Sequence, residues 1–168
     1  KKEYKGFLLS GKAALNISGD FAGYNLDAEA GYTYKDKASF TGGLHINASP
    51  ANYNHLLYQS SYENYNWYNA NTYETVKTQS LDFNMKSDAW LNASVSLVNV
   101  SDYAYFGRSS QDSLVQSFQT GDNITYLKAK VNKEFRLGKF ALDNTVAYQK
   151  VASGDQYLNV PQLITRNT

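Results

Sequence analysis

The chain has 168 residues, 16 of them basic and 15 acidic, with two histidines, no cysteine and a formal net charge of +1. That length suits one domain. Near-neutrality argues against a nucleic-acid partner, which calls for a basic stripe, and the lack of cysteine excludes a disulfide framework or thiolate metal site.

The composition includes 15 Tyr, 8 Phe and 2 Trp beside only 2 Pro and 1 Met, so it favours strands over helices. No run of about eighteen apolar residues marks a transmembrane helix. Lys1-Lys2-Glu3-Tyr4-Lys5 lacks the apolar stretch of a signal peptide, so any targeting segment is expected to be gone already.

In chain order, the first run, 7–17, sets Phe7, Leu9, Gly11, Ala13, Leu15 and Ile17 against Ser10, Lys12 and Asn16. The second, 24–34, sets Tyr24, Leu26, Ala28, Ala30, Tyr32 and Tyr34 against Asn25, Asp27, Glu29 and Thr33. The third, 38–48, sets Phe40, Gly42, Leu44 and Ile46 against Ser39, Thr41, His45 and Asn47. Period-2 alternation predicts strands with one apolar and one polar face.

A long loop over 49–72 follows, in which Ser49-Pro50 could start a short helix, Ser as N-cap and Pro at the first helical position. Further runs are predicted at 73–86, 90–100, 123–136, 140–150 and 157–168. Most are about eleven residues long, close to the roughly 9–11 that a tilted strand needs to cross a bilayer. The run at 73–86 is apolar on one side only at Leu81, Phe83 and Met85.

The connections alternate. Those at 35–37, 87–89 and 136–139 are short, while those at 18–23, 49–72, 101–122 and 152–156 are long. This alternation survives only if 49–72 contains no wall strand or an even number of them. Short turns on one side and long loops on the other are the pattern of an up-and-down transmembrane barrel. The large rings of the apolar face gather near strand ends. Tyr32, Tyr34, Phe40, Phe83, Phe135 and Phe140 are assigned to the short-turn rim together with Trp90, which falls one residue off the apolar register and could belong to the turn, and Tyr24 and Tyr148 to the other. Mid-strand positions carry small aliphatics. Aromatic girdles around an apolar band suit a lipid-facing wall; a soluble sandwich would place large rings at its centre.

The expected fold is therefore all-β, an antiparallel up-and-down transmembrane β-barrel, with this chain a fragment of a larger one. Open edges are prohibitive in lipid, and the modest bulk of the polar face suits a wide, wet lumen. Lys12, Asp27, Glu29, His45, Asp82, Lys128, Lys130, Glu134 and Asp143 are candidate pore-lining residues. In any β-protein they would equally serve as solvated polar-face residues, and their mixed signs imply no ion preference. Lys133 falls on the lipid face beside Phe135 and must snorkel.

Catalysis has little support: a Ser/His/Asn set around His45 would point into the lumen rather than to lipid, and Asp27 with Glu29 lack a defined cleft. Metal, cofactor and phosphate sites are not expected. Asn-x-Ser/Thr sequons at Asn16, Asn47, Asn92, Asn99 and Asn123 reflect composition. The Tyr/Asn-rich segment 52–73 is read as an ordered loop over the barrel mouth, with sugar binding as its rival.

Three stretches carry a resemblance: Asn64-Tyr65-Asn66-Trp67; Leu91-Asn92-Ala93-Ser94-Val95 followed by Asp102-Tyr103-Ala104-Tyr105-Phe106; and Asn159-Val160-Pro161 with Arg166-Asn167-Thr168. Through roughly 38–168 the chain resembles the β-barrel porin family of Bacteroidetes outer membranes, whose members are larger. The resemblance implies a Gram-negative outer-membrane location and a porin-like barrel, with no site residues carried over. The expected function is a non-enzymatic channel for passive diffusion of small hydrophilic solutes, its partners being outer-membrane lipid, those solutes and other envelope proteins. The alternatives are a non-conducting structural or docking barrel of a secretion or uptake complex, and a soluble carbohydrate-binding β-protein.

Overall fold

A computed structural model describes residues 2–16, 22–87, 89–111 and 113–168, with the side chains of 2–4 not described. Its main body is a nine-stranded antiparallel sheet. The strands are β1 (Lys2–Tyr4), β2 (Phe7–Asn16), β3 (Gly23–Tyr34), β4 (Ala38–Ser49), β7 (Val76–Lys86), β8 (Asn92–Ser101), β11 (Ile124–Leu137), β12 (Phe140–Ser153) and β13 (Leu163–Asn167). Every neighbour in the sheet is also the next of these strands along the chain, an up-and-down meander. The sheet is open, with β1 and β13 at its edges. No described helix is long and apolar enough to cross a membrane, which says nothing of crossing by strands.

Each excursion from the sheet has structure of its own. The first holds α1 (Tyr53–Leu56) and the two-residue strands β5 (Leu57–Tyr58) and β6 (Trp67–Tyr68), which pair with each other. The second holds the hairpin of β9 (Ala104–Arg108) and β10 (Val115–Gln119). Two short strands between β4 and β7 are an even number, so the short turns stay on one side.

That side is built from tight turns. Tyr4 pairs with Phe7 across Lys5 and Gly6, both at positive φ as a type I′ turn requires. Lys35 and Asp36 also have positive φ between β3 and β4. Leu137 pairs with Phe140 across Gly138-Lys139, where only Gly138 is at positive φ, as in II′. Between β7 and β8 the Ser87 N–H is held by Asn92 Oδ1 (3.1 Å), and the Ser87 hydroxyl donates to the Lys37 carbonyl (3.0 Å).

Several sequence expectations need correction. The helix starts not at Pro50 but at Tyr53. Ser49 is still paired with Val76 in the sheet, and Asn52 is the cap, its side chain accepting from the Asn54 N–H. The run at 73–86 becomes strand only at Val76, because the Tyr73 and Glu74 N–H groups bond to the Asn69 carbonyl and Gln119 Oε1. Trp90 lies in the turn before β8, as its off-register parity allowed, and the run expected from 90 becomes strand only at Asn92. The last run is strand only from Leu163: Pro161 has no N–H for a ladder, and Tyr157 is drawn into a turn with Gly154. The excursion expected at 18–23 lies largely outside the described residues.

The burial is inverted. On β3, Tyr24, Leu26, Ala28, Ala30 and Tyr32 are exposed while Asn25, Asp27 and Glu29 are half-covered. On β7, Leu81 and Phe83 are exposed against half-buried Ser80, Asp82 and Asn84, and on β12 Val146 and Tyr148 are exposed against Thr145, Ala147 and Gln149. β11 departs from this, with Lys128 and Lys130 exposed. Among the described residues the cluster of buried apolar side chains, Ala51, Leu56 and Ala104 with Tyr73 and Val76 against them, lies beside the sheet, in the long connections. The sheet has an apolar face without a protein core on it. A Leu or Phe kept out of water gains about 1.5–3 kcal/mol, and a contiguous apolar face of this extent marks a membrane or partner surface.

Candidate functional site

Directly paired residues of antiparallel neighbours share a face, so the register sorts the candidate residues. One row crosses the polar face as Lys12, Asp27, His45, Ser80, Val98 and Tyr126. The next runs Glu29, Gly43, Asp82, Ser96, Lys128 and Gln149. Lys130 stands opposite Ser94 and Ala147, and Glu134 opposite Asp143. All nine candidate pore-lining side chains thus lie on one face.

Tyr24, Tyr32, Tyr34, Phe40, Phe83, Phe135, Phe140 and Tyr148 lie on the other, with Leu44 between Ala28 and Leu81. Phe83 and Tyr148 share one row through Val95 and Ala129, although the sequence assigns them to opposite rims. Strands tilted about 40° carry a row obliquely across the wall, so row membership does not fix depth.

The polar face is hydrogen-bonded along its length. His45 stands between two carboxylates, Nδ1 at 2.8 Å from Asp27 Oδ1 and Nε2 at 3.8 Å from Asp82 Oδ2. The Ser80 hydroxyl donates to Asp82 (2.8 Å) and that of Ser10 to Glu29 (3.4 Å). Asn132 Nδ2 donates to Asp143 Oδ1 (2.6 Å) and Thr145 Oγ1 (3.0 Å). Nearby, Asn92, Asn132, Glu134, Arg136 and Asp143 line a recess of about 590 Å³. The Tyr126 hydroxyl donates to Gln149 Oε1. On the apolar face Lys133 is half-buried, and its ammonium donates to the Ala89 carbonyl at 3.2 Å beside the short turn before β8.

The two long excursions are joined at the other rim. His55 of α1 stacks on Phe106 of β9 with ring centroids 4.2 Å apart, and its Nδ1 is 3.0 Å from Ser117 Oγ of β10. Tyr73 OH is 2.9 Å from the same hydroxyl. Trp67 stacks on Tyr58 (4.9 Å) and tilts against Phe106 (6.0 Å), and its indole N–H donates to the Asn54 carbonyl. The Gln119 side chain closes the joint, accepting from the Glu74 N–H and donating to the Glu74 carbonyl, both at 2.8 Å. Tyr105 carries the contact on to Tyr157 in the third connection.

Burial drives the His55 pKa down from its ordinary value. It pushes Tyr73 up, opposed by the Ser117 hydrogen bond, and pushes Tyr105 up with help from Tyr157 and Asp122. Many of the loop's aromatics and amides are committed internally: Asn66 bonds the Ser60 N–H and the Tyr62 carbonyl, and Asn69 the His55 carbonyl. The layer is held by these internal bonds, while Tyr53, Tyr62 and Tyr68 stay exposed on it. His55, Tyr73 and Ser117 were not singled out from sequence; the alternation at 104–108 and 115–119 was the available sign.

No curated protein and no solved structure matches the chain significantly. A family does: the chain, an up-and-down sheet with one exposed apolar face and one polar face, belongs to the family described as "Putative porin", which matches residues 1–168.

Proposed function

We propose that this chain is part of the wall of a Gram-negative outer-membrane channel that passes small hydrophilic solutes by passive diffusion, without catalysis or cofactor. The inverted burial carries the reading. Apolar side chains are exposed where a soluble sheet would cover them, while charged and amide groups occupy the more covered face. Lipid is the solvent that suits the first face and a water-filled lumen the second. The unpaired edges of β1 and β13 call for further strands to close the wall, since hydrocarbon leaves no unpaired backbone group satisfied.

In this arrangement Lys12, Asp27, Glu29, Asp82, Lys128 and Lys130 bias ion passage, and His45 holds Asp27 in place. The test is planar-bilayer recording of the full-length protein. Stepwise conductance is expected, with the ratio of cation to anion permeability falling when Asp27, Glu29 and Asp82 are changed together to their amides. A folded, bilayer-inserted protein that conducts nothing would overturn the channel and leave a structural or docking barrel of an envelope complex.

A further inference from the structure

The near-zero net charge conceals a division between the two rims. The short turns are tied to their neighbours: the Ser87 hydroxyl donates to the Lys37 carbonyl of the next turn (3.0 Å), the Thr33 N–H of β3 to the Gly6 carbonyl (2.8 Å), and Lys133 of β11 to the Ala89 carbonyl (3.2 Å). Their tips gather Lys5, Lys35, Lys37 and Lys139, with Lys133 behind them, against Asp36 and, in the sequence, Asp88. Lys35, Lys37 and Lys139 are exposed, and none is ion-paired among the described residues. Arg136 is held by Glu134 within β11 and is set aside.

Directly inside these lysines runs a row of exposed apolar-face aromatics, Tyr34 (47%), Phe135 (58%) and Phe140 (82%), with Trp90 (64%) exposed in the turn before β8. Lys35 Nζ lies 5.2 Å from the centre of the Tyr34 ring. At the opposite rim the balance is acidic: Glu63, Glu74, Asp102, Asp122 and Asp155 stand against Lys77, Arg108 and Lys150.

Resting on the barrel reading above, we infer that the short-turn rim is a docking collar for anionic phospholipids of the leaflet it meets, its lysines holding headgroup phosphates just outside the aromatic ring. Rings fix the depth of the wall at the headgroup level. Lysine stems lie along the apolar surface and lift the ammonium groups to the phosphate plane. Because the lysines sit on three turns along one edge of the same sheet, they act on one patch of membrane. Near an anionic surface each is expected to favour the acidic lipid by about fivefold at low salt, less in salt as screening sets in. The acidic rim gives the opposite leaflet no such preference.

Trp90 makes the collar measurable. The full-length protein is reconstituted in vesicles containing phosphatidylcholine and phosphatidylglycerol, with bromine placed near the headgroup end of the acyl chains of one lipid or the other. Quenching at Trp90 is read as the difference between the unsubstituted protein and Trp90→Phe. Brominated phosphatidylglycerol should quench severalfold more than brominated phosphatidylcholine. The preference should vanish in high salt and in the triple variant Lys35→Gln, Lys37→Gln, Lys139→Gln. Equal quenching by the two lipids, or a preference that survives the triple variant, overturns the collar and leaves the barrel standing. Quenching by neither lipid means that Trp90 does not meet lipid, which overturns the collar; the barrel reading falls only if the protein also fails to insert into the vesicles.

Discussion

His55 is the residue whose surroundings make the sharpest demand. Its ring is stacked on Phe106 and bonded to Ser117, and desolvation favours the neutral imidazole. The folded pKa therefore lies below the unfolded value of about 6.5. The joint is at full strength above that value and weakens as pH falls through it toward the lower folded pKa, where charging must occur against the burial. Protection of the amides over 104–119, corrected for the intrinsic slowing of exchange in acid, should fall between about pH 7 and pH 5, and His55→Gln should abolish that pH dependence. His45, the other histidine, is on the polar face, so His45→Gln should leave it intact.

Gly154 makes a second local demand. It is at φ +78°, and a Cβ there would lie 2.7 Å from Ile124 Cγ1. Gly154→Ala is expected to cost about 1–3 kcal/mol in denaturant titrations, since both backbone strain and a clash with a buried side chain oppose it.

Among the elements, β4 shows what the two faces ask for. Leu44, between Ala28 and Leu81, is exposed on the apolar face in the middle of its strand. Leu44→Arg should cost about 2–4 kcal/mol of folding stability measured in vesicles. Ser96→Arg, on the polar face of β8, should cost far less. The rim elements differ from the wall in depending on each other. Replacing 103–120 by a short flexible linker should leave β8 and β11 paired, because their register is set by nine ladder positions from Ile124–Val100 to Asn132–Asn92. The same replacement removes the ring and hydroxyl against which His55 and Trp67 pack, so limited proteolysis should now cut within 51–72.

At the scale of the whole molecule, period 2 was legible because it is a property of each strand alone. Asp27 and His45 were separable from Tyr32, Phe40 and Leu44 by parity, and parity is what a strand enforces. The rim layer was not legible in the same way. His55 and Ser117 are 62 residues apart and meet only because β4, β7, β8 and β11 bring their loops to one side. Nor does parity say whether the sheet closes: the nine strands form an open wall. If that wall separates lipid from water, spin labels along β3 and β7 should alternate. Oxygen should reach positions 26, 28, 81 and 83, and a water-soluble relaxant positions 25, 27, 80 and 82. Loss of the alternation would mean that both faces see the same medium.

The joined excursions also bear on how such a wall is assembled. Contacts between segments this distant in sequence form late, because the intervening chain must be ordered first. A hydrogen-bonded, aromatic-packed layer would be hard to carry intact through hydrocarbon, so the two excursions are expected to cross as extended chain and to pack on the far side. Once packed, they would oppose withdrawal of the four strands beneath them, and insertion would become a one-way step. Trp67 should then report last during refolding into vesicles, and Phe106→Ala should leave the rate of strand insertion unchanged while hastening its reversal.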